Sequence, residues 1–143
     1  MNLKNLLDNI ARLAINEKII NSAMAGTSLY ELNPQAIKDY PMLFLAPTGD
    51  HIVTENYTTS EISLYYFDRL LEDNSNDIDI YSASIEELKN LVRKIKELPF
   101  VLKVEDGYRI RNFADTERFN DRLCGSYTTI DIVTINNEIC PVD

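Results

Sequence analysis

Residues 58–71, TTSEISLYYFDRLL, carry the clearest strand pattern in the chain. Two sets of side chains alternate along it: Ile62, Leu64 and Tyr66 on one face, and Ser63, Tyr65 and Phe67 on the other. A period of two is typical of a β-strand. We expect the first face to cover helices. The second face, with Tyr65 and Phe67, is expected to form either a second buried layer or an exposed contact surface, because aromatic side chains are enriched at protein interfaces.

Two stretches on either side of this strand have helical periodicity. Residues 2–22 carry apolar side chains at steps of three and four, and Gly26 is the predicted residue that ends the helix in a left-handed conformation. Residues 80–98 repeat the pattern more regularly. Within them Ser84 and Glu87 fit a capping box, with Asp79 and Ser82 as alternative starting points.

Further strands are predicted at 42–46, 100–104, 108–113 and 123–135. The second and third of these flank Glu105-Asp106-Gly107, a turn signal, and are therefore predicted to form a hairpin. Only one strong helix lies between strands, which argues against a regular alternation of strands and helices. The sequence thus predicts an α+β fold in a single domain, 1–143. It has a mostly antiparallel sheet, an N-terminal helix and one long amphipathic helix packed on one face.

The charge of the chain is concentrated in one part of the sequence. The 143 residues have a net charge of −9, and residues 50–87, with ten acids and one base, account for all of it. Free duplex DNA is usually bound by a basic face, so this composition disfavours such binding. Three interpretations remain open. The segment is a DNA mimic for another protein's basic groove, a surface that DNA passes without sticking, or an ordinary solvated loop and helix start.

A modest basic group follows the second helix and consists of Arg109, Arg111, Arg118 and Arg122. It suits either a phosphate backbone or the acidic 50–87 segment of a neighbouring subunit. The second possibility gives one domain two complementary patches, as a head-to-tail ring requires. The predicted subunit-interface residues are therefore Tyr65, Phe67, Arg109 and Arg111. Reversing the charge of the two arginines should then impair assembly.

Signals for catalysis or metal binding are weak in this sequence. The one histidine, His51, follows Asp50 in a turn-like stretch and is interpreted as a surface residue, with a general base as the alternative. Residues 73–77 resemble the start of a calcium loop but lack its glycine and its final glutamate. Cys124 and Cys140 lack zinc-site spacing and are expected to be reduced thiols. We predict no catalytic, cofactor-binding or metal-binding residues. No apolar run approaches the roughly 20 residues of a membrane span, so no membrane partner is expected.

Four segments together resemble small tail-terminator or head–tail joining proteins of tailed bacteriophages. They are Tyr40-Pro41 leading into MLFLAP, the strand ending in Asp68-Arg69-Leu70-Leu71, the helix SIEELKNLVRKI and the stretch RLCGSYTTIDIVT. The similarity covers about residues 40–135 and is closest to the neck ring proteins of crAss-like phages. It lies in the order of the elements and in scattered residues rather than in a catalytic signature.

The resemblance implies a non-enzymatic virion protein, assembled in the host cytoplasm. It also implies a homo-oligomeric ring around the DNA channel, with portal, neck or tail proteins as partners and with DNA passing through without specific binding. The acidic segment would then line a channel that repels phosphates. Two other classes remain open from the residues alone: an acidic binding module or DNA-mimic inhibitor of a host enzyme, and a small enzyme.

Overall fold

The stretch that carries the strand pattern is one of two 13-residue strands at the centre of a seven-stranded sheet. The computed structural model describes residues 2–27, 39–47, 49–71, 73, 75–115 and 122–136. In chain order, the elements are α1 (Leu3–Asn16), β1 (Ser22–Ala25), β2 (Met42–Ala46), β3 (His51–Val53), β4 (Tyr57–Arg69), α2 (Asp77–Lys96), β5 (Val101–Val104), β6 (Ile110–Asp115) and β7 (Leu123–Ile135). None of the helices in these ranges is long and apolar enough to cross a membrane.

Strands β4 and β7 pair antiparallel along their whole length, from Tyr57 opposite Ile135 to Arg69 opposite Leu123. The other edge of β4 is occupied by β2 and β3, which pair with different parts of it. The other edge of β7 is occupied in the same way by β5 and β6. Strand β1 lies parallel to β2 and is the one parallel pair among these contacts. The predicted α+β fold with a mostly antiparallel sheet is confirmed.

The predicted hairpin of residues 100–104 and 108–113 is wrong, because β5 and β6 do not pair with each other. Both run antiparallel to β7, where Val104 lies opposite Ile132 and Ile110 lies opposite Thr128. Gly107 has a φ of 81°, a conformation that glycine adopts without strain. The chain therefore leaves the edge of β7 and returns to it in the same direction. A 13-residue strand is long enough to accept both short strands end to end.

The first helix is shorter than predicted and is followed by a strand. α1 ends at Asn16, and Lys18 adopts a left-handed conformation with a φ of 59°. This turn lets Ile19 and Ile20 bury their side chains before β1 begins. Gly26 is not the end of the helix, since its N–H donates to the carbonyl of Leu45 beside the sheet. The shift in apolar pattern after residue 14 marks the turn and the missed strand.

The second helix begins earlier than the capping box predicted. α2 starts at Asp77, and Ser84 lies inside it, fully buried against the sheet. The Oγ atoms of Ser84 and Ser126 are 2.6 Å apart, and Ser126 donates to Asn112 Oδ1 at 2.8 Å. Ser84 Oγ in turn donates to the carbonyl oxygen of Tyr81, one turn earlier in the helix, at 2.9 Å. The serine is thus a buried link between helix and sheet rather than a cap.

Both helices cover the same face of the sheet, as predicted. The main core joins apolar side chains of α1 and α2 to the inward side chains of β2, β4 and β7: Leu6, Ile10, Leu43, Leu45, Ile62, Leu64, Leu88, Leu91, Ile95, Ile130 and Ile132. We call the opposite side of the sheet the outer face. Its residues at the end where β4 finishes form a second buried cluster of Met42, Phe44, Ala46, Phe67 and Leu123.

Candidate protein-interaction surfaces

The outer face carries a row of large side chains that crosses five strands. The pairing of Met24 with Phe44, Phe44 with Tyr65, Tyr65 with Tyr127 and Tyr127 with Arg111 places these five residues side by side. The Tyr65 and Tyr127 rings stack with their centres 5.1 Å apart. A terminal arginine therefore adjoins an aromatic row, a combination that is enriched at protein interfaces.

Aromatic rings from two neighbouring rows close this part of the outer face. The centre of the Phe113 ring is 5.9 Å from that of Tyr65 and 6.2 Å from that of Phe67, both in edge-on orientation. Phe67 is 0 % exposed, which places it in a second buried layer, whereas Tyr65 is partly exposed. The sequence left open whether this face forms a second buried layer or an exposed contact surface, and Phe67 belongs to a buried layer. Its side chain is not available to a partner in this conformation.

Three of the predicted interface residues, Tyr65, Phe67 and Arg111, share the outer face. Arg109 lies just before β6, and its carbonyl accepts a hydrogen bond from Thr128 Oγ1. Both Arg109 and Arg111 are exposed and make no ion pair within the described ranges. We call these two residues the arginine edge, since β6 pairs only with β7 among the described strands. Arg118, also predicted in this group, lies outside the described residues.

The acidic segment does not form a single patch, which corrects the two-patch description. Strand β4 runs through its middle and spans about 40 Å at the usual rise per residue. Asp50 and Glu55 therefore lie near one end of the strand. The second group, Asp73, Asp77 and Asp79, lies at the opposite end, where α2 begins. The two groups of acids, although both belong to the 50–87 segment, are therefore separated in space by the length of β4.

At the first end, an exposed apolar surface was missed by sequence reasoning. Ile52 is 62 % exposed, Leu102 53 % and Tyr57 40 %, and Ile135 lies opposite Tyr57. We call these four residues the apolar tip. Tyr57 and Leu102 also line an open groove of about 380 Å3. The signal in the sequence was weak, because residues 51–57 are too few to show a strand period of their own.

The turn that carries the apolar tip is held by several hydrogen bonds. Thr54 and Tyr57 bond to each other through backbone and side-chain atoms at 2.9 to 3.1 Å. Across the turn, Asn136 donates from Nδ2 to the Thr54 carbonyl at 2.6 Å and from its backbone N–H to the Asn56 carbonyl. The Thr58 hydroxyl donates to Asn136 Oδ1. Such a turn presents its side chains with little conformational entropy left to lose.

His51 lies in β3 beside this turn and contacts a buried hydroxyl. Its Nδ1 is 2.9 Å from Ser60 Oγ, and the pair lines a small pocket of about 100 Å3 next to the start of α1. A hydroxyl beside an imidazole is the first part of a nucleophile–base pair, which also needs a group that orients the ring. Within the described ranges, no third group is hydrogen-bonded to the imidazole ring of His51.

The segment that resembles a calcium loop is a turn at the start of α2. Asp73 Oδ1 accepts the backbone N–H of Ser75 at 3.0 Å, and this hydrogen bond lowers the pKa of the carboxyl group. Nearby, Asn76 accepts the N–H of Leu71 at 2.9 Å. Among the described residues, no group of three or more potential metal ligands is present. The polar side chains therefore bond to the local backbone.

Cys124 is a buried free thiol beneath α2, and Cys140 lies outside the described residues. Burial raises the pKa of the Cys124 thiol to about 11, and the carboxylates of Asp77 and Asp68 add to the rise. The folded state therefore keeps this proton above pH 9, the ordinary thiol pKa, while the unfolded state loses it. Proton loss favours the unfolded state, so stability should fall between about pH 9 and 11.

We expect this fall to be smaller in Cys124→Ala than in the wild type, as measured by urea midpoints at pH 8 and pH 10.5. Burial also raises the pKa of Tyr66, which contributes to the same loss in both proteins. The difference between the two proteins therefore measures the thiol together with its effect on Tyr81, whose pKa is raised by burial and by Cys124. Equal losses in both would contradict the assigned protonation of Cys124.

Compared with known proteins, the chain matches no protein-family model and no curated protein sequence.

Proposed function

We propose that this chain is a virion structural protein that forms a ring in the head–tail junction or at the tail end of a tailed phage. The observation that carries the proposal is the presence of two exposed surfaces of different character at separate places on one small domain. One is the apolar tip with acids around it, and the other is the arginine edge. Two complementary surfaces at separate places on one domain support contacts in which each surface meets the other surface of the next copy, and such head-to-tail contacts close into rings when the rotation between subunits allows it.

The placement of the four family-like segments supports the same proposal. They fall on β2, the end of β4, α2 and β7, which form the framework of the domain. In the proposed ring, portal, neck or tail proteins contact the outside, and DNA passes through the centre without specific binding. Acidic side chains facing the channel repel phosphates and keep the genome mobile. The chain carries no catalytic role in this proposal, and its place is the virion, after assembly in the host cytoplasm.

The test is the solution mass of the purified protein over a range of concentrations, followed by negative-stain electron microscopy. Closed rings of one copy number are the expected result, either alone or after addition of a portal or tail protein of the same virion. Mass spectrometry of purified virions should find the chain. A strictly monomeric protein that is absent from virions would refute the proposal.

The alternative proposal is an acidic binding module that mimics DNA and occupies a basic groove of a host enzyme. The observation in its favour is the pair of carboxylates Glu61 and Asp131, directly opposite each other on the outer face. Like charges at that position are unfavourable unless a cation or basic partner approaches. This alternative predicts a stable monomer or dimer that competes with DNA for its target, and no rings.

A further inference from the structure

We propose that the apolar tip of one copy docks on the arginine edge of the next copy. This inference rests on the proposed function, because it names the surfaces that would join neighbouring subunits of the ring. From the sequence, the arginines were expected to dock on the acidic 50–87 segment as a whole. The proposed docking partner is now only the part of that segment near the start of β4.

Exposure and rigidity make the apolar tip suitable for docking. Exposed apolar side chains gathered in one place are typical of protein contact sites, whereas single ones are ordinary. Ile52 and Tyr57 lie in the two strands that flank a turn, and Asn136, just after β7, fixes this turn by hydrogen bonds. Because the turn is already ordered, little entropy is lost when a partner covers it.

Charge around the apolar tip selects a basic partner. The acidic rim consists of Asp50, Glu55, Glu61, Glu105 and Asp131. The basic side chain in the groove, Lys103, is already paired with Glu105 at 3.0 Å. A partner that brings positive charge to the rim therefore gains attraction at an interface whose centre is apolar.

The arginine edge has the matching properties. Arg109 and Arg111 are exposed, and within the described ranges neither makes an ion pair. The lysines of α2 differ, because Lys89, Lys94 and Lys96 each have an acidic partner at 3.1 to 3.6 Å. Arg111 also adjoins the partly exposed Tyr127, which offers an aromatic surface to the apolar tip. A second copy of this chain thus supplies both the charge and the apolar contact.

The acidic group at the opposite end of β4 is a poorer partner for these arginines. Asp73 and Asp77 accept hydrogen bonds from nearby backbone N–H groups, and acids at the start of α2 offset its dipole. Arg69 and Arg122 lie at the same end. That end provides a matched control, since Ile78 is exposed there to a similar extent as Ile52, at 72 %.

The first test compares Ile52→Asp with Ile78→Asp by sedimentation velocity over a range of concentrations. Both changes are at exposed positions, so equal thermal melting of the two variants and the wild type will show that folding is retained. We expect Ile52→Asp to weaken assembly about tenfold or more, as a charge in the centre of an interface does. Ile78→Asp should assemble like the wild type. Equal assembly of both variants would overturn the tip–edge contact.

The second test uses charge reversal on each side of the contact. Asp50→Lys with Glu55→Lys should abolish ring formation, and so should Arg109→Glu with Arg111→Glu. When these two proteins are mixed, the intact tip meets the intact edge and the reversed tip meets the reversed edge, so the expected product is a ring in which the two proteins alternate. All four changes in one chain should restore self-assembly.

The results separate the two proposals. If the wild type forms rings and the reversed proteins do so equally well, the tip–edge contact is wrong and the ring proposal stands. If the wild type stays monomeric at every concentration and is absent from virions, the ring proposal fails, and the contact fails with it.

Discussion

Gly125→Ala is expected to destabilise the fold by at least about 3 kcal/mol, because the added methyl group has no space. A Cβ at this position would clash with the carbonyl oxygen of Tyr66 and would lie 2.7 Å from the Cα of Phe67. Both atoms belong to the backbone of β4, which cannot move aside without breaking its pairing with β7. Urea unfolding followed by circular dichroism measures the loss.

Gly107→Ala provides the control for the general cost of replacing a glycine. Its φ of 81° disfavours other residues, but no atom lies within 4 Å of the added Cβ. We therefore expect a loss of about 1 kcal/mol from backbone strain alone. If Gly125→Ala cost no more than Gly107→Ala, the close approach of β4 and β7 would not be a requirement of the fold.

Local patterns were sufficient to predict the longest elements. Strand β4 has strict alternation, and β7 was predicted with the same bounds as the structure shows, 123–135. In both strands, one face packs on helices, so burial imposes a period of two on the sequence. The helix α2 was recognised because its apolar positions recur on one side, although its start was misplaced at a serine that bonds to a distant strand.

Elements that depend on distant partners were predicted less well. The sequence of 100–113 fits a hairpin locally, but the free edge of β7 lies in the structure where both short strands pair with it. Nothing near Ser84 in the sequence indicates Ser126, 42 residues away, with which it shares a hydrogen bond. In both cases, pairing with residues distant in the sequence outweighed the local structural preference.

The candidate surfaces, too, were predicted in part from local sequence and depend in part on distant pairing. The sequence identified Tyr65 and Arg111, but only the register of β4, β7 and β6 places them in one row. The apolar tip was missed because local sequence does not distinguish a buried from an exposed isoleucine. Ile62 is fully buried under the helices, and Ile52 is mostly exposed. The difference arises from where α1 and α2 lie over the sheet.

Phe67→Ala is expected to lower the free energy of unfolding by about 3–5 kcal/mol, as is usual for removing a buried ring. Phe67 is fully buried and packs with Phe113, Met42 and Leu123 in the second cluster. The expected loss identifies the aromatic part of the outer face as core. Urea unfolding at a concentration where the chain is monomeric measures it without a contribution from assembly.

Tyr57→Ala is the matched change, since it removes an aromatic ring from the same strand at the apolar tip. Because Tyr57 is partly exposed, its loss should cost about 1 kcal/mol or less in unfolding. Phe67→Ala should therefore lose more stability than Tyr57→Ala, whereas Tyr57→Ala should lose more assembly than Phe67→Ala. The reverse ranking, with assembly sensitive to Phe67 and stability to Tyr57, would make the second cluster the subunit contact and would place the core at the tip. Burial in the folded chain argues for the first ranking, since a ring that is already covered has no further apolar surface to offer a neighbour.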